Sequence, residues 1–260
     1  MFKKVKIKPI NIKIILLNAA VILAPTLAVA SEQSSDQVDP SDVTRAYSQA
    51  HIGVSNKGDV KVMGTLSYQF DGGTAAMVSL EATMDEDGDY EDSRGQYFHV
   101  FGTGNDIMPR IATSLDIIDN NDFTTTAFGI AAAITTPADS FSVYVRGAGL
   151  LGQYKDDGSL ANQYNIIDTD ITGYNGAAWL VWKPFKDGTY LSLSPEYTKM
   201  DGSLEVSTLK TSITAATPIT DSGEKWLQFK YEDIDSDFTY QGVADSINER
   251  IFWTHFKIFF

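Results

Sequence analysis

ERIFWTHFKIFF, residues 249–260, alternates residue by residue. Phe252, Thr254, Phe256, Ile258 and Phe260 share one parity; Trp253, His255, Lys257 and Phe259 share the other. Successive side chains of a strand point to opposite faces, so a period of two marks a β-strand with two chemically distinct sides. One side here is apolar and aromatic. The other mixes aromatic, imidazole and ammonium groups. A half-buried soluble strand would turn a polar face to water. A membrane barrel instead needs an apolar face against lipid, a polar face toward a lumen and a last strand that closes on the first.

The same period runs through most of the chain upstream. Twelve strands are expected, at roughly 45–56, 60–70, 75–85, 94–104, 110–118, 123–135, 140–154, 172–184, 189–199, 203–215, 225–233 and 249–260, with ten or fourteen as alternatives. Val60, Val62, Leu66, Tyr68 and Phe70 oppose Lys61, Met63, Thr65, Ser67 and Gln69. Val78, Leu80, Ala82 and Met84 oppose Ser79, Glu81, Thr83 and Asp85. The tenth strand changes parity between Val206 and Leu209, which suggests a bulge or a wrong boundary. Aromatics near strand ends on the apolar face (Tyr68, Phe70, Phe141, Trp182, Tyr197) fit interfacial girdles, and they argue against a secreted β-sandwich.

The amino-terminal end carries its own signal. Residues 1–30 read as a secretory signal peptide: five lysines, an apolar stretch from Ile14 to Leu27, then Ala28-Val29-Ala30 as a small-residue cleavage site. The apolar run falls short of the ~20 residues an anchor helix needs. Residues 31–43, rich in Ser and Asp, read as a flexible periplasmic leader, and 44–260 as the barrel. Removing the five lysines takes the formal charge from -14 to -19. So acidic a chain excludes nucleic acid as a partner, because phosphate binding needs clustered Lys and Arg. Cysteine is absent, so no disulfide holds the fold.

On its final strand the chain resembles the outer-membrane β-barrel proteins of Gram-negative bacteria. Their last strand alternates apolar residues and ends in Phe, as Phe256, Ile258 and Phe260 do here, although the glycine often found earlier in that motif is missing. The resemblance implies an all-β, closed, antiparallel up-and-down transmembrane barrel. It also implies outer-membrane lipid and lipopolysaccharide as surroundings, with periplasmic chaperones and the barrel-assembly machinery as partners. Within that class, twelve strands resemble the small monomeric channels for nucleosides or acidic oligosaccharides. The acidic-sugar channels have a strongly basic lumen, which the mixed lumen inferred here does not match.

Three connections read as long external loops: Asp85 to Ser93, Lys155 to Ile171 and Ile234 to Asn248. Turns such as Asp71-Gly72-Gly73 and Lys186-Asp187-Gly188 are short. Asp85, Asp87 and Asp89 open like a calcium loop, but the twelfth position is Gln96 where a bidentate Glu is needed. That leaves a solvated acidic loop that could gather loosely bound divalent cations; no cofactor is otherwise expected. The three histidines form no metal motif, though His51 and His255, on lumen faces of the first and last strands, are expected to be neighbours. Catalytic patterns of outer-membrane lipid hydrolases are missing: there is no His-x-Ser-Asn-Gly run and no G-x-S-x-G elbow.

The parity assignment places Lys61, Glu81, Asp116, Arg146, Lys183, Glu196, Lys210, Lys230, Glu232 and Lys257 on the inner face. An apolar core would not tolerate so many charges, so they must be hydrated or paired across a lumen. The expected function is a narrow pore for small polar solutes or ions. The alternatives are a surface or structural barrel whose acidic loops bind divalent cations or a partner, and, less favoured, a lipid hydrolase. With the acidic excess in external loops, mild cation preference at low salt is expected.

Overall fold

The computed structural model describes residues 38–260. The expected signal peptide and the first part of the expected leader lie outside them. Twelve strands follow in chain order: β1 (Gln49–Ser55), β2 (Val60–Gln69), β3 (Ala75–Met84), β4 (Tyr90–Gly102), β5 (Arg110–Asn120), β6 (Phe123–Ile134), β7 (Phe141–Tyr154), β8 (Asp170–Trp182), β9 (Tyr190–Asp201), β10 (Glu205–Pro218), β11 (Lys225–Tyr240) and β12 (Val243–Phe259). One short helix, α1 (Ser159–Tyr164), lies between β7 and β8. Each strand pairs antiparallel with its sequence neighbours, and β1 pairs with β12 to close the barrel. Closure leaves no unpaired sheet edge.

The wall is built inside out relative to a soluble protein. Leu80 is 68% and Ile130 61% exposed, and Leu66, Phe128, Leu151 and Ile213 are also exposed on the outer face. Aromatic side chains edge this band near the end that carries Gln49 and Phe259, here called the proximal end. Phe70 stacks on His99, His99 on Phe101, and Phe141 on Trp182. Toward the distal end Tyr174 and Tyr197 lie side by side. From Tyr174 to Trp182 the wall rises about 20 Å at the tilt of such strands, close to the ~25 Å apolar band of an outer-membrane barrel. On β11 the outer face changes from Leu227, Phe229 and Tyr231 to Asp233, Asp235 and Asp237, which marks where lipid gives way to water.

Several boundaries differ from the sequence reading, each for a local reason. The expected loop from Ile234 to Asn248 is strand: β11 and β12 stay paired from Ile234↔Glu249 out to Tyr240↔Val243. Gln241 (φ 49) and Gly242 (φ 82) turn this hairpin in the left-handed conformation that two-residue loops require. The acids that suggested a loop alternate along its outer face. The expected loop from Asp85 to Ser93 shrinks to a turn, because Asp85 Oδ1 accepts the N–H groups of Asp87 and Asp89 at 2.9 and 2.8 Å. Only residues 155–169 form a long distal connection.

β10 carries no bulge; its register with β9 and β11 is continuous. Val206 changes parity because it faces inward, into an apolar cluster with Met200, Leu204, Ile171 and Tyr154. Against that cluster pack Leu160 and Tyr164 of α1 together with Ile166, so the long distal connection folds into the barrel mouth. Asp122 anchors it by accepting from Ser159 Oγ at 2.7 Å and from the Leu160 N–H at 2.9 Å.

The proximal mouth is also occupied. The described part of the expected flexible leader, residues 38–43, is packed rather than free, and it continues inward to Ser48. Ser41, Asp42, Thr44 and Tyr47 are buried. Two consecutive Asp-x-Ser/Thr turns stiffen it. Asp39 Oδ1 accepts from the Ser41 N–H and hydroxyl, and Asp42 Oδ1 accepts from those of Thr44. Tyr47 joins Tyr144, Val181, Tyr190, Trp226 and Phe259 in an aromatic cluster, with Val38 and Val43 against it. Asp39 pairs with Lys183, and Asp42 with Arg110.

Candidate pore-lining site

All ten residues assigned to the inner face by parity sit on that face. Nine of them form a belt between the two apolar ends of the lumen. Lys61 of β2 meets Glu81 of β3 at 3.0 Å. Asp116 of β5, fully buried, is held by Arg94 of β4 and by Arg146 of β7 at 2.5 Å, with Gln96 donating at 2.6 Å. Glu196 of β9 accepts from Lys210 of β10 at 2.8 Å and from Asn175 of β8 at 2.9 Å. Lys230 and Glu232 of β11 pair at 2.7 Å. The tenth residue, Lys183, lies nearer the proximal end, on Asp39.

These pairs follow from the strand period. Lys61 and Glu81 are two positions off the direct Met63↔Glu81 pair, a diagonal that long side chains span. Glu196 and Lys210 are directly opposed. The belt is also narrow. Arg94 and Gln96 on β4 and Glu196 on the opposite wall at β9 line one cavity.

The belt is not electrically balanced. Its cations are Lys61, Arg94, Arg146, Lys210, Lys230 and Lys257, and its carboxylates Glu81, Asp116, Glu196 and Glu232. That is six against four. Asp116 serves two guanidinium groups. Among the described residues Lys257 makes no ion pair, and it stands opposite His51 in the β1–β12 register.

His51 and His255 meet edge to face at a ring separation of 5.2 Å. Gly53 makes room for this, since a Cβ there would lie 2.2 Å from His255 Nδ1. Both His51 nitrogens and His255 Nδ1 are buried without a hydrogen-bond partner among the described residues. His99 lies elsewhere: it faces outward among Phe70, Phe101 and Tyr97, whose hydroxyl is 2.8 Å from His99 Nδ1.

Nothing in the structure gathers Asp85, Asp87 and Asp89 into a cation site. Asp85 is spent on closing its own turn, and no group of three carboxylate or imidazole side chains converges among the described residues. Phe256 and Ile258 lie on the outer face, and Phe260 follows the strand end, exposed, with its N–H donated to Ser48 O at 3.1 Å.

Sequence reasoning missed three partners. Arg94 and Gln96 fell at the edge of a strand that begins earlier, at Tyr90; their parity with inward Phe98 was the available signal. Arg110 is recognisable as a lumen residue only once the leader is seen to bring Asp42 to it.

No family model and no curated protein matches the sequence. Solved structures do match in fold. The COG4313 outer membrane channel from Pseudomonas putida F1 superposes with a TM-score of 0.56 at 13% identity, over 86% of this chain and all (100%) of that one. The NanC porin superposes with a TM-score of 0.53 at 8% identity, over 82% of this chain and 99% of that one. The protein therefore shares its fold with these outer-membrane channels.

Proposed function

We propose that the protein is a Gram-negative outer-membrane barrel that forms a narrow pore for small polar solutes, with a weak preference for anions. The observation that carries this reading is the belt. Ten charged side chains line the middle of a lumen inside a wall whose outer face is apolar. Ion pairs buried in a dry core are costly and do not improve on apolar packing. Their retention in a ring is explained by a hydrated path that must pass charge. The belt's excess of two cations favours anions, contrary to the cation preference expected from the acidic loops alone.

On this reading residues 1–30 direct export, and the proximal end faces the periplasm because both barrel termini are there. Phe256, Ile258 and Phe260 act as the assembly signal. Outer-membrane lipid and lipopolysaccharide surround the apolar band. The protein is not an enzyme on this reading. His51 faces His255, which stacks on Trp253, and His99 meets the Tyr97 hydroxyl on the outer face; among the described residues no Ser or Thr hydroxyl is paired with a histidine.

Single-channel recording of the purified protein in planar bilayers tests the proposal. Discrete openings, with a reversal potential in a salt gradient that shows anion preference, are expected. Silence from folded protein would refute the pore. A second reading is a non-conducting surface barrel, favoured by the two inward-folded segments, Val38–Ser48 and residues 155–169. It predicts that silence.

A further inference from the structure

Between the packed leader and the charged belt lies a cavity of about 260 Å³. This is roughly nine times the ~30 Å³ share of one liquid water. Its two halves differ. Toward the leader it is bounded by Tyr47, Phe98, Trp179 and Phe259. Toward the belt it is bounded by Arg94, Arg146 and Lys257, with Arg45 reaching in from the leader.

The cavity's two carboxylates are already committed: Asp42 to Arg110 and Arg45, and Glu196 to Lys210 and Asn175. Of its cations, Arg45 is paired with Asp42, and the other three are less fully answered. Arg94 and Arg146 share the single carboxylate of Asp116. Arg146 Nε is buried and has no partner among the described residues, on a side chain that is only 10% exposed. Lys257 makes no ion pair among the described residues.

We infer that this cavity is a binding site for a small monocarboxylate with an apolar body, held by its carboxylate on Lys257 and the Arg94–Arg146 pair and by its body against Trp179 and Phe259. The inference names the solute class of the pore and rests on reading the lumen as a solute path. A uniformly polar solute, such as a sugar acid, would leave the aromatic half without a partner. An uncharged aromatic would leave the Lys257 ammonium unanswered. The Lys257 ammonium and guanidinium N–H groups not used on Asp116 can donate to a carboxylate, while aromatic walls take up a flat apolar body. A ligand that does both at once matches the site.

Benzoate is the probe. Titrated into the detergent-folded protein and followed by calorimetry, it should bind roughly tenfold more tightly than benzamide and than glucuronate. Lys257→Gln should weaken benzoate about fivefold and leave benzamide unchanged. Ala177→Phe, which fills the cavity from the β8 wall, should abolish benzoate binding. If the filled variant fails to fold, the ligand series on the unaltered protein still decides. Equal affinity for benzoate and glucuronate would overturn the role of the aromatic half. Equal affinity for benzoate and benzamide would overturn the role of the cations.

Bilayer recordings separate this inference from the pore itself. Benzoate that binds a silent barrel would refute the pore and leave the site standing. Openings that benzoate neither blocks nor slows, with no calorimetric binding, would refute the site and leave the pore standing.

Discussion

Replacing Asp116 by Asn should destabilise the barrel by about 3 kcal/mol, the low end of what removing one partner of a buried pair costs. The side chain is fully buried and accepts from Arg94 Nε at 2.8 Å, Gln96 Nε2 at 2.6 Å and Arg146 Nη2 at 2.5 Å. Asn keeps the volume, removes the charge and offers an N–H₂ to guanidinium groups that cannot accept it. At an effective dielectric of about 20, a unit pair near 4 Å is worth about 4 kcal/mol. That applies to Arg146, whose side chain is 10% exposed and keeps only Ser114 and Asn175 as neutral contacts. The Arg94 side chain is 39% exposed, so its share is screened to about 1 kcal/mol or less. Relief from burying a carboxylate charge offsets part of the sum.

Arg146→Gln in the Asp116→Asn background removes the stranded cation. The double variant should therefore be more stable than the summed single losses by about 2 kcal/mol. Urea unfolding in lipid vesicles, followed by tryptophan fluorescence, measures all three. Strict additivity, or an Asp116→Asn loss below about 0.5 kcal/mol, would mean that the belt charges are hydrated independently and do not form a network.

Three further outcomes are expected. Burial alone would raise the Asp39 carboxyl, but Lys183 and the Ser41 donors hold it below its ordinary 3.8. A lowered folded-state pKa gives stabilisation that is present above 3.8 and is lost as pH falls through the docked-state value. The leader should thus resist pepsin near neutral-side acidity and become cleavable in stronger acid, while Lys183→Gln should expose Arg45 to trypsin at neutral pH; protection unchanged in both would refute leader docking. Phe260→Ala should reduce the heat-modifiable, folded fraction in the outer membrane, and normal levels would refute the assembly signal. Epitopes inserted at Gly158 or Gly242 should label on intact cells while one at Gly188 should not, and the reverse pattern would overturn the orientation.

The wall was legible because a strand exposed to two solvents must alternate. Lys61, Glu81 and Glu196 could be placed inside from parity alone, and their cross-strand partners follow from antiparallel geometry. The ends were less legible, because composition there carries two meanings. Asp and Ser at 38–43 read as flexible, yet Asp-x-Ser and Asp-x-Thr also build rigid turns, and only long-range partners such as Lys183 and Arg110 decide between them. Asp233, Asp235 and Asp237 read as loop, yet at every second position they are the outer face of a strand that has risen above the lipid. Val206 looked like a register fault because the packing of residues 155–169 into the mouth, which makes an inward Val sensible, has no periodic signature.

The acidic rim and the basic belt act in series, and the belt decides the sign of selectivity. Asp85, Glu86, Asp87 and Asp89 face bulk water at the distal end, where salt screens a charge over about 8–10 Å. Their field concentrates cations at the mouth but fades along the lumen. The belt charges sit where opposite walls interact and the dielectric is lower, so screening there is weak. An ion must shed water at that level, and it meets six cations and four carboxylates, of which Lys257 and the doubly shared Asp116 leave the surplus positive. The rim therefore slows the approach of anions without excluding them, and raising the salt concentration weakens that opposition faster than it weakens the belt. Anion preference should persist or sharpen as salt rises, which is the opposite of the fading cation preference that the loops alone imply.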